Sequence, residues 1–120
     1  MAPRKANVDS PDLLTADQPS LDEIARTIVE GLHPRRVVVF GSRARGSERA
    51  DSDVDVMVEM DCNWPPAERM RRVYRLFGPR RWSMDVVVYT PEEVRQQRGQ
   101  RNSLIRTIEA EGRVLYEQPG

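Results

Sequence analysis

Val37, Val38, Val39 and Phe40 stand in a row between Pro34 and Gly41. A short β-branched run closed off by proline and glycine reads as a buried central strand over Arg36–Phe40. Two more strands follow. Asp53–Met60 alternates, with Val54, Val56, Val58 and Met60 facing one way and Asp53, Asp55, Met57 and Glu59 the other. Arg81–Tyr89 repeats the pattern, with Met84, Val86 and Val88 on one face and Asp85, Val87 and Tyr89 on the other. Val114–Tyr116 reads as a short edge strand.

Helical patterns lie between these runs. Ser20 and Glu23 form a capping-box signature before the stripe Leu21, Ile24, Ala25, Ile28, Val29 and Leu32, which Gly31 and Pro34 are expected to end. Pro65 and Pro66 lead into a helix over Ala67–Phe77, with Met70, Val73, Tyr74 and Phe77 on one face and Gly78-Pro79 as its stop. Thr90-Pro91-Glu92-Glu93 opens another, and Asn102 or Ser103 caps a last one carrying Leu104, Ile105 and Ile108 before Gly112. The expected architecture is α/β: a small mixed β-sheet with helices packed on one face and an open face opposite. Residues 1–19, with Pro3, Pro11 and Pro19 and no apolar period, read as a flexible N-terminal tail. Residues 20–117 form the domain.

Composition narrows the chemistry. A chain of 120 residues suits one domain. Cys62 is the only cysteine and His33 the only histidine, which leaves no material for a disulfide, a cysteine zinc site or a Ser-His-Asp triad. No apolar run approaches the roughly 20 residues of a membrane helix, and residues 1–20 lack a signal-peptide core, so a cytoplasmic location is expected. The net charge of zero conceals segregation: Ser47–Asp61 carries six acids against Arg49, and Cys62–Trp82 carries six arginines against Glu68. Arg71, Arg72 and Arg75 read as the solvated side of the Met70–Phe77 helix, with a partner or RNA surface as the alternative. Trp64 and Trp82 read as packing residues.

The acidic block contains the informative constellation. Residues i and i+2 of a strand point to the same side, roughly 6.6 Å apart along the backbone. Asp53 and Asp55 therefore converge, and two uncompensated carboxylates repel. A divalent cation balances them, and hard oxygen ligands suit Mg²⁺. Asp85 reaches the same cluster if the third strand lies beside the second. Three carboxylates with two Mg²⁺ suit phosphoryl or nucleotidyl transfer. The Gly41-Ser42 turn can receive phosphate oxygens on its amides, and Arg43 and Arg45 can neutralise a triphosphate. The alternatives are a solvated edge face for Asp53 and Asp55, an ordinary turn at Gly41-Ser42, surface charges at Arg43 and Arg45, and a salt bridge from Asp85 to an arginine such as Arg81.

Gly41-Ser42, ten residues from Arg43 to Ser52, and Asp53-Val54-Asp55 together reproduce a family spacing. The sequence resembles the minimal nucleotidyltransferases of the DNA polymerase β superfamily over about residues 21–116. The resemblance implies a polymerase β-like nucleotidyltransferase fold, with Asp53 and Asp55 holding two Mg²⁺ ions. Asp85 would hold one of these ions and help deprotonate the attacking hydroxyl, and Gly41 and Ser42 would hold the β,γ-phosphates of ATP. It also implies an antitoxin role, in which AMP passes to a tyrosine of a HEPN-domain toxin. Two other readings remain: an antitoxin that acts by binding alone, and a small-molecule nucleotidyltransferase completed by a partner chain. Homo- and hetero-oligomers are both compatible, and no nucleic-acid partner is assigned.

Overall fold

A computed structural model describes residues 19–44, 53–80 and 82–119. The elements in chain order are α1 (Leu21–Leu32), β1 (Arg36–Phe40), a 3₁₀ turn (Gly41–Arg43), β2 (Val54–Glu59), α2 (Pro66–Arg75), β3 (Met84–Tyr89), α3 (Pro91–Arg98), α4 (Leu104–Glu111) and β4 (Arg113–Glu117). The four strands form one mixed sheet in the order β3-β2-β1-β4. β1 pairs antiparallel with β2 and β4, and β2 pairs parallel with β3. The parallel pair needs a crossover, and α2 supplies it. The short strand at the C-terminal end of the domain lies at an edge, as its composition suggests.

Alternation sorts the strand side chains between two cores. Val37 and Val39 of β1, Val54, Val56 and Val58 of β2, and Val86 and Val88 of β3 pack with Ile24 and Ile28 of α1 and Val73 of α2. This is the expected helical layer. The opposite face is not wholly open. Val38 and Met57 are buried there against Val94 of α3 and Ile105 and Ile108 of α4. Met57 alternates with acids in sequence, yet it is fully buried, because the last two helices cover the middle of that face. The end carrying Asp55 and Asp85 projects beyond them.

The helix ends follow local chemistry. Ser20 Oγ accepts from the Glu23 amide at 3.1 Å, and Glu23 Oε1 accepts from the Ser20 amide at 2.8 Å, completing the capping box. α1 runs through Gly31 to Leu32 and is closed by His33, the residue before Pro34, which adopts φ 52° and donates its amide to the Val29 carbonyl. The left-handed residue, not the glycine, is the terminator.

The outer edge of β3 is covered by side chains. Tyr74 Oη donates to the Met84 carbonyl at 3.0 Å and accepts from the Val86 amide at 3.1 Å. Arg69 donates to the Val88 carbonyl at 3.3 Å. Arg69 is 8% exposed and pairs with Glu93 at 2.8 Å, while its Nε reaches the Trp64 carbonyl. α2 therefore blunts an edge that would otherwise offer a template to another strand. Of the remaining arginines on α2, Arg71 and Arg72 pair locally with Glu68, and Arg72 lies 4.0 Å over the Trp64 ring.

Glu109 of α4 joins three elements. It accepts from Arg98 at 2.6 Å and from Arg36 of β1 at 2.8 Å. Arg36 Nε stands 2.9 Å from Glu59 Oε1 of β2, although its N–H is not aimed at that oxygen. The hydrogen bonds from Arg98 first, and then those from Arg36, pull Glu109 down to about 2 against an opposing desolvation cost. A depressed carboxyl stabilises the fold fully above its unfolded pKa of about 4.3 and loses that contribution as pH falls through the folded value. Glu109→Gln should therefore cost about 2 kcal/mol at neutral pH, allowing for solvent screening at half-exposed Arg98. Urea denaturation at successive pH values should show this gap from wild type closing between about pH 5 and pH 2.

Candidate active site

Strand register builds the site. In the parallel β2–β3 pair Asp55 stands opposite Asp85, and in the antiparallel β1–β2 pair it stands opposite Phe40. Phe40 leads directly into the Gly41–Arg43 turn. The turn, Asp55 and Asp85 thus lie on three successive strands at one end of the sheet. Asp53 precedes β2 by one residue and is exposed, as is Asp85, while Asp55 is half-buried.

Gly41 explains why the motif needs glycine. Its φ is +73°, and a Cβ there would overlap Asp55 Oδ2 and lie 3.2 Å from Asp55 Cγ. Both the backbone conformation and the space exclude a larger residue. Asp55 therefore seats one carboxylate oxygen directly against the turn. Ser42 follows within the 3₁₀ turn, which leaves its first amides without acceptors inside the turn.

Electrostatics mark Asp55 as the stressed member. Burial first, then the negative charges of Asp85 and Asp53, raise its carboxyl above the ordinary aspartate range. The donor set is carboxylate oxygen alone, which fits a hard divalent cation such as Mg²⁺. With the side chains as they stand, no group of three Asp, Glu, His or Cys residues among those described is arranged to hold a metal ion. The carboxylates share one end of the sheet, and they would have to turn inward to share a cation.

A cleft of about 480 Å³ adjoins this cluster on the β3 side, lined by Asp53, Tyr74, Arg80, Trp82, Ser83, Met84 and Asp85. Arg43 lies elsewhere, in a recess of about 260 Å³ with Ser20, Leu21, Asp22 and Arg113. Arg45 lies outside the described residues, as does Arg81. The residues that sequence reasoning missed are Tyr74 and Arg80. In sequence Tyr74 reads as part of the core stripe, and Arg80 as one charge in a basic run.

A mixed four-stranded sheet with a glycine-serine turn one strand from register-matched aspartates defines the nucleotidyltransferase class of α/β domain. Residues 21–115 match the family described as "Nucleotidyltransferase domain", and the chain belongs to that family. No curated protein sequence matches it. Among solved structures, the chain is similar to a putative nucleotidyltransferase from Sulfolobus solfataricus. That match has TM-score 0.56 and 21% identity, covering 81% of this chain and 77% of the other. It is also similar to a chain of a mutant MntA-HpeT toxin-antitoxin complex, with TM-score 0.60, 18% identity, and 84% and 75% coverage. A toxin-antitoxin structure with AMP-PNP gives TM-score 0.55, 14% identity, and 82% and 75% coverage. These likenesses confirm the polymerase β-like fold. Among the described residues, no helix is long and apolar enough to cross a membrane.

The Gly41–Asp55 contact predicts energetic coupling. Gly41→Ala should destabilise the protein by about 2–3 kcal/mol, of which about 1–2 kcal/mol is left-handed backbone strain. In an Asp55→Ala background the cost should fall to the strain alone, and a double-mutant cycle in urea measures the difference.

Proposed function

We propose that the protein is an Mg²⁺-dependent nucleotidyltransferase that moves AMP from ATP to a hydroxyl. We infer that the acceptor is a tyrosine of a HEPN-type toxin, which makes this chain the antitoxin of the pair. The observation that carries the reading is the placement of Asp55. It touches Gly41 on one side and stands in register with Asp85 on the other. Membership of the nucleotidyltransferase domain family supports the reaction class. The likeness to toxin-antitoxin structures, one of them with AMP-PNP, supports the partner and the nucleotide.

In this reading Asp53 and Asp55 would hold two Mg²⁺ ions and Asp85 one of them, and the metal would supply charge neutralisation for the triphosphate and the departing pyrophosphate. The Gly41 and Ser42 amides and the Ser42 hydroxyl bind and orient the β,γ-phosphates. Arg43 and Arg45 would add positive charge to neutralise the triphosphate. The acceptor oxygen forms a bond to the α-phosphorus, and the bond to the bridging oxygen of pyrophosphate breaks. The hydroxyl proton passes to the carboxylate of Asp85. Catalysis rests on positioning and electrostatics, and no covalent intermediate with the protein is needed.

Asp53→Ala and Asp55→Ala should each lower transfer of label from α-labelled ATP by at least about a thousandfold. Asp55→Asn should do the same while raising the urea midpoint of the metal-free protein, because it removes a carboxylate held near two others. Undiminished labelling of the toxin by the Asp53/Asp55 double variant would overturn the chemistry. Full rescue of toxin-expressing cells by that variant would favour antitoxin action by binding alone.

A further inference from the structure

The strand order gives the site a direction. The Gly41-Ser42 turn follows β1, Asp55 lies on β2, and Asp85 lies on β3. In phosphoryl displacement the entering and leaving oxygens lie roughly in line across phosphorus. If the leaving pyrophosphate rests at the turn, the acceptor hydroxyl arrives from the β3 side. This step rests on the reading proposed above. The cleft bounded by Asp53, Asp85, Tyr74, Arg80 and Trp82 opens on that side.

Arg80 is the single cation among the described residues lining this cleft. Its guanidinium carbon lies 5.0 Å from the Tyr74 ring centroid and 5.5 Å from that of Trp82. Trp82 is in turn braced edge-on by Phe77 at 5.7 Å. Tyr74 is fixed through its hydroxyl on Met84 and Val86. The rings therefore hold the guanidinium in place without spending its donors. Its one hydrogen bond to a described residue is a long one of 3.5 Å from Nη2 to the Met84 carbonyl, and its buried Nε has no partner among the described residues. Of the same basic segment, Arg69 pairs with Glu93, and Arg71 and Arg72 share Glu68. Arg80 has no ion pair to a described carboxylate, although it shares its cleft with two aspartates.

We propose that Arg80 reads a carboxylate side chain beside the acceptor hydroxyl on a protein segment that enters the cleft over β3. A guanidinium fixed by aromatic faces, with donors to spare, suits a planar bidentate acceptor. The sign of the cleft selects the class of partner. Among the described residues Asp53 and Asp85 outweigh Arg80 in the metal-free protein, so a polyanionic nucleic-acid backbone is repelled while a single carboxylate can meet the guanidinium. A neutral hydroxyl with one neighbouring carboxylate is accepted. Arg80 is a positioning and specificity residue in this scheme, separate from the phosphate and metal groups.

The test uses the full chain and synthetic peptides with a central tyrosine flanked by glutamate, glutamine or lysine. Binding is read by anisotropy of labelled peptide without nucleotide, and transfer is read in parallel with MgATP. The glutamate peptide should bind wild type about tenfold more tightly than the glutamine peptide, the worth of one charge-assisted hydrogen-bonded contact. Arg80→Gln should erase that preference through KM, leaving kcat and MgATP affinity unchanged. Arg80→Glu should transfer the preference to the lysine peptide, a rescue that a purely structural role for Arg80 would not give. Equal binding of all peptides by wild type, or a glutamate preference that survives Arg80→Gln, overturns the proposal. So does tighter binding of a single-stranded oligonucleotide than of the glutamate peptide. Transfer that proceeds without Arg80 dependence would sink the proposal and leave the transferase reading intact. Arg80-dependent binding without transfer to any acceptor would uphold the cleft and overturn the transferase reading.

Discussion

The parallel pairing of β2 with β3 is the constraint on which the site depends. It sets Asp55 opposite Asp85, two carboxylates on adjacent strands at one end of a sheet. Nothing in hydrophobic packing favours that arrangement. Asp55 is half-buried, and its neighbours' charges add to the cost of ionising it. The valines on the other side of the same strands hold the register in spite of this. A one-residue slip would put Val54, Val56 and Val58 on the wrong face and empty the main core. The fold thus spends packing energy to keep three acids together. Such a local conflict with stability is typical of a functional site.

The remaining parts protect or complete that pairing. The sheet has β3 at one edge, and α2 closes this edge with Tyr74 and Arg69. The same crossover delivers Arg80 and Trp82 to the cleft beside Asp85. At the other flank, β1 runs into a turn whose glycine makes room for an Asp55 oxygen. At the opposite end of the second face, Glu109 ties α4 to β1 and α3, so the smaller core is anchored away from the acids.

Much of this was legible in the residues. A run of valines placed β1, valine alternation placed β2 and β3, and a capping box placed the start of α1. The spacing from Gly41-Ser42 to Asp53 and Asp55 located the acidic end, and the guess that the third strand neighbours the second brought in Asp85. The failures have physical causes. Met57 sits among acids in sequence, and only the later helices α3 and α4 bury it. Arg69 looks like its neighbouring arginines, and its burial depends on Glu93 of α3 and the Val88 carbonyl. His33 overrides Gly31 as helix stop because a left-handed residue next to Pro34 closes the last turn.

In the proposed reaction Asp53, Asp55, Asp85 and the Gly41-Ser42 turn would act on the same metal-bound nucleotide. Paramagnetic broadening of backbone amide signals by Mn²⁺ with a non-hydrolysable ATP analogue tests this most directly. Broadening should centre on the Gly41-Ser42 turn and the first residues of β2 and β3, spare α3 and α4, and vanish in Asp55→Asn. Broadening spread over Glu68, Asp61 and other surface carboxylates, or unchanged in that variant, would contradict the account.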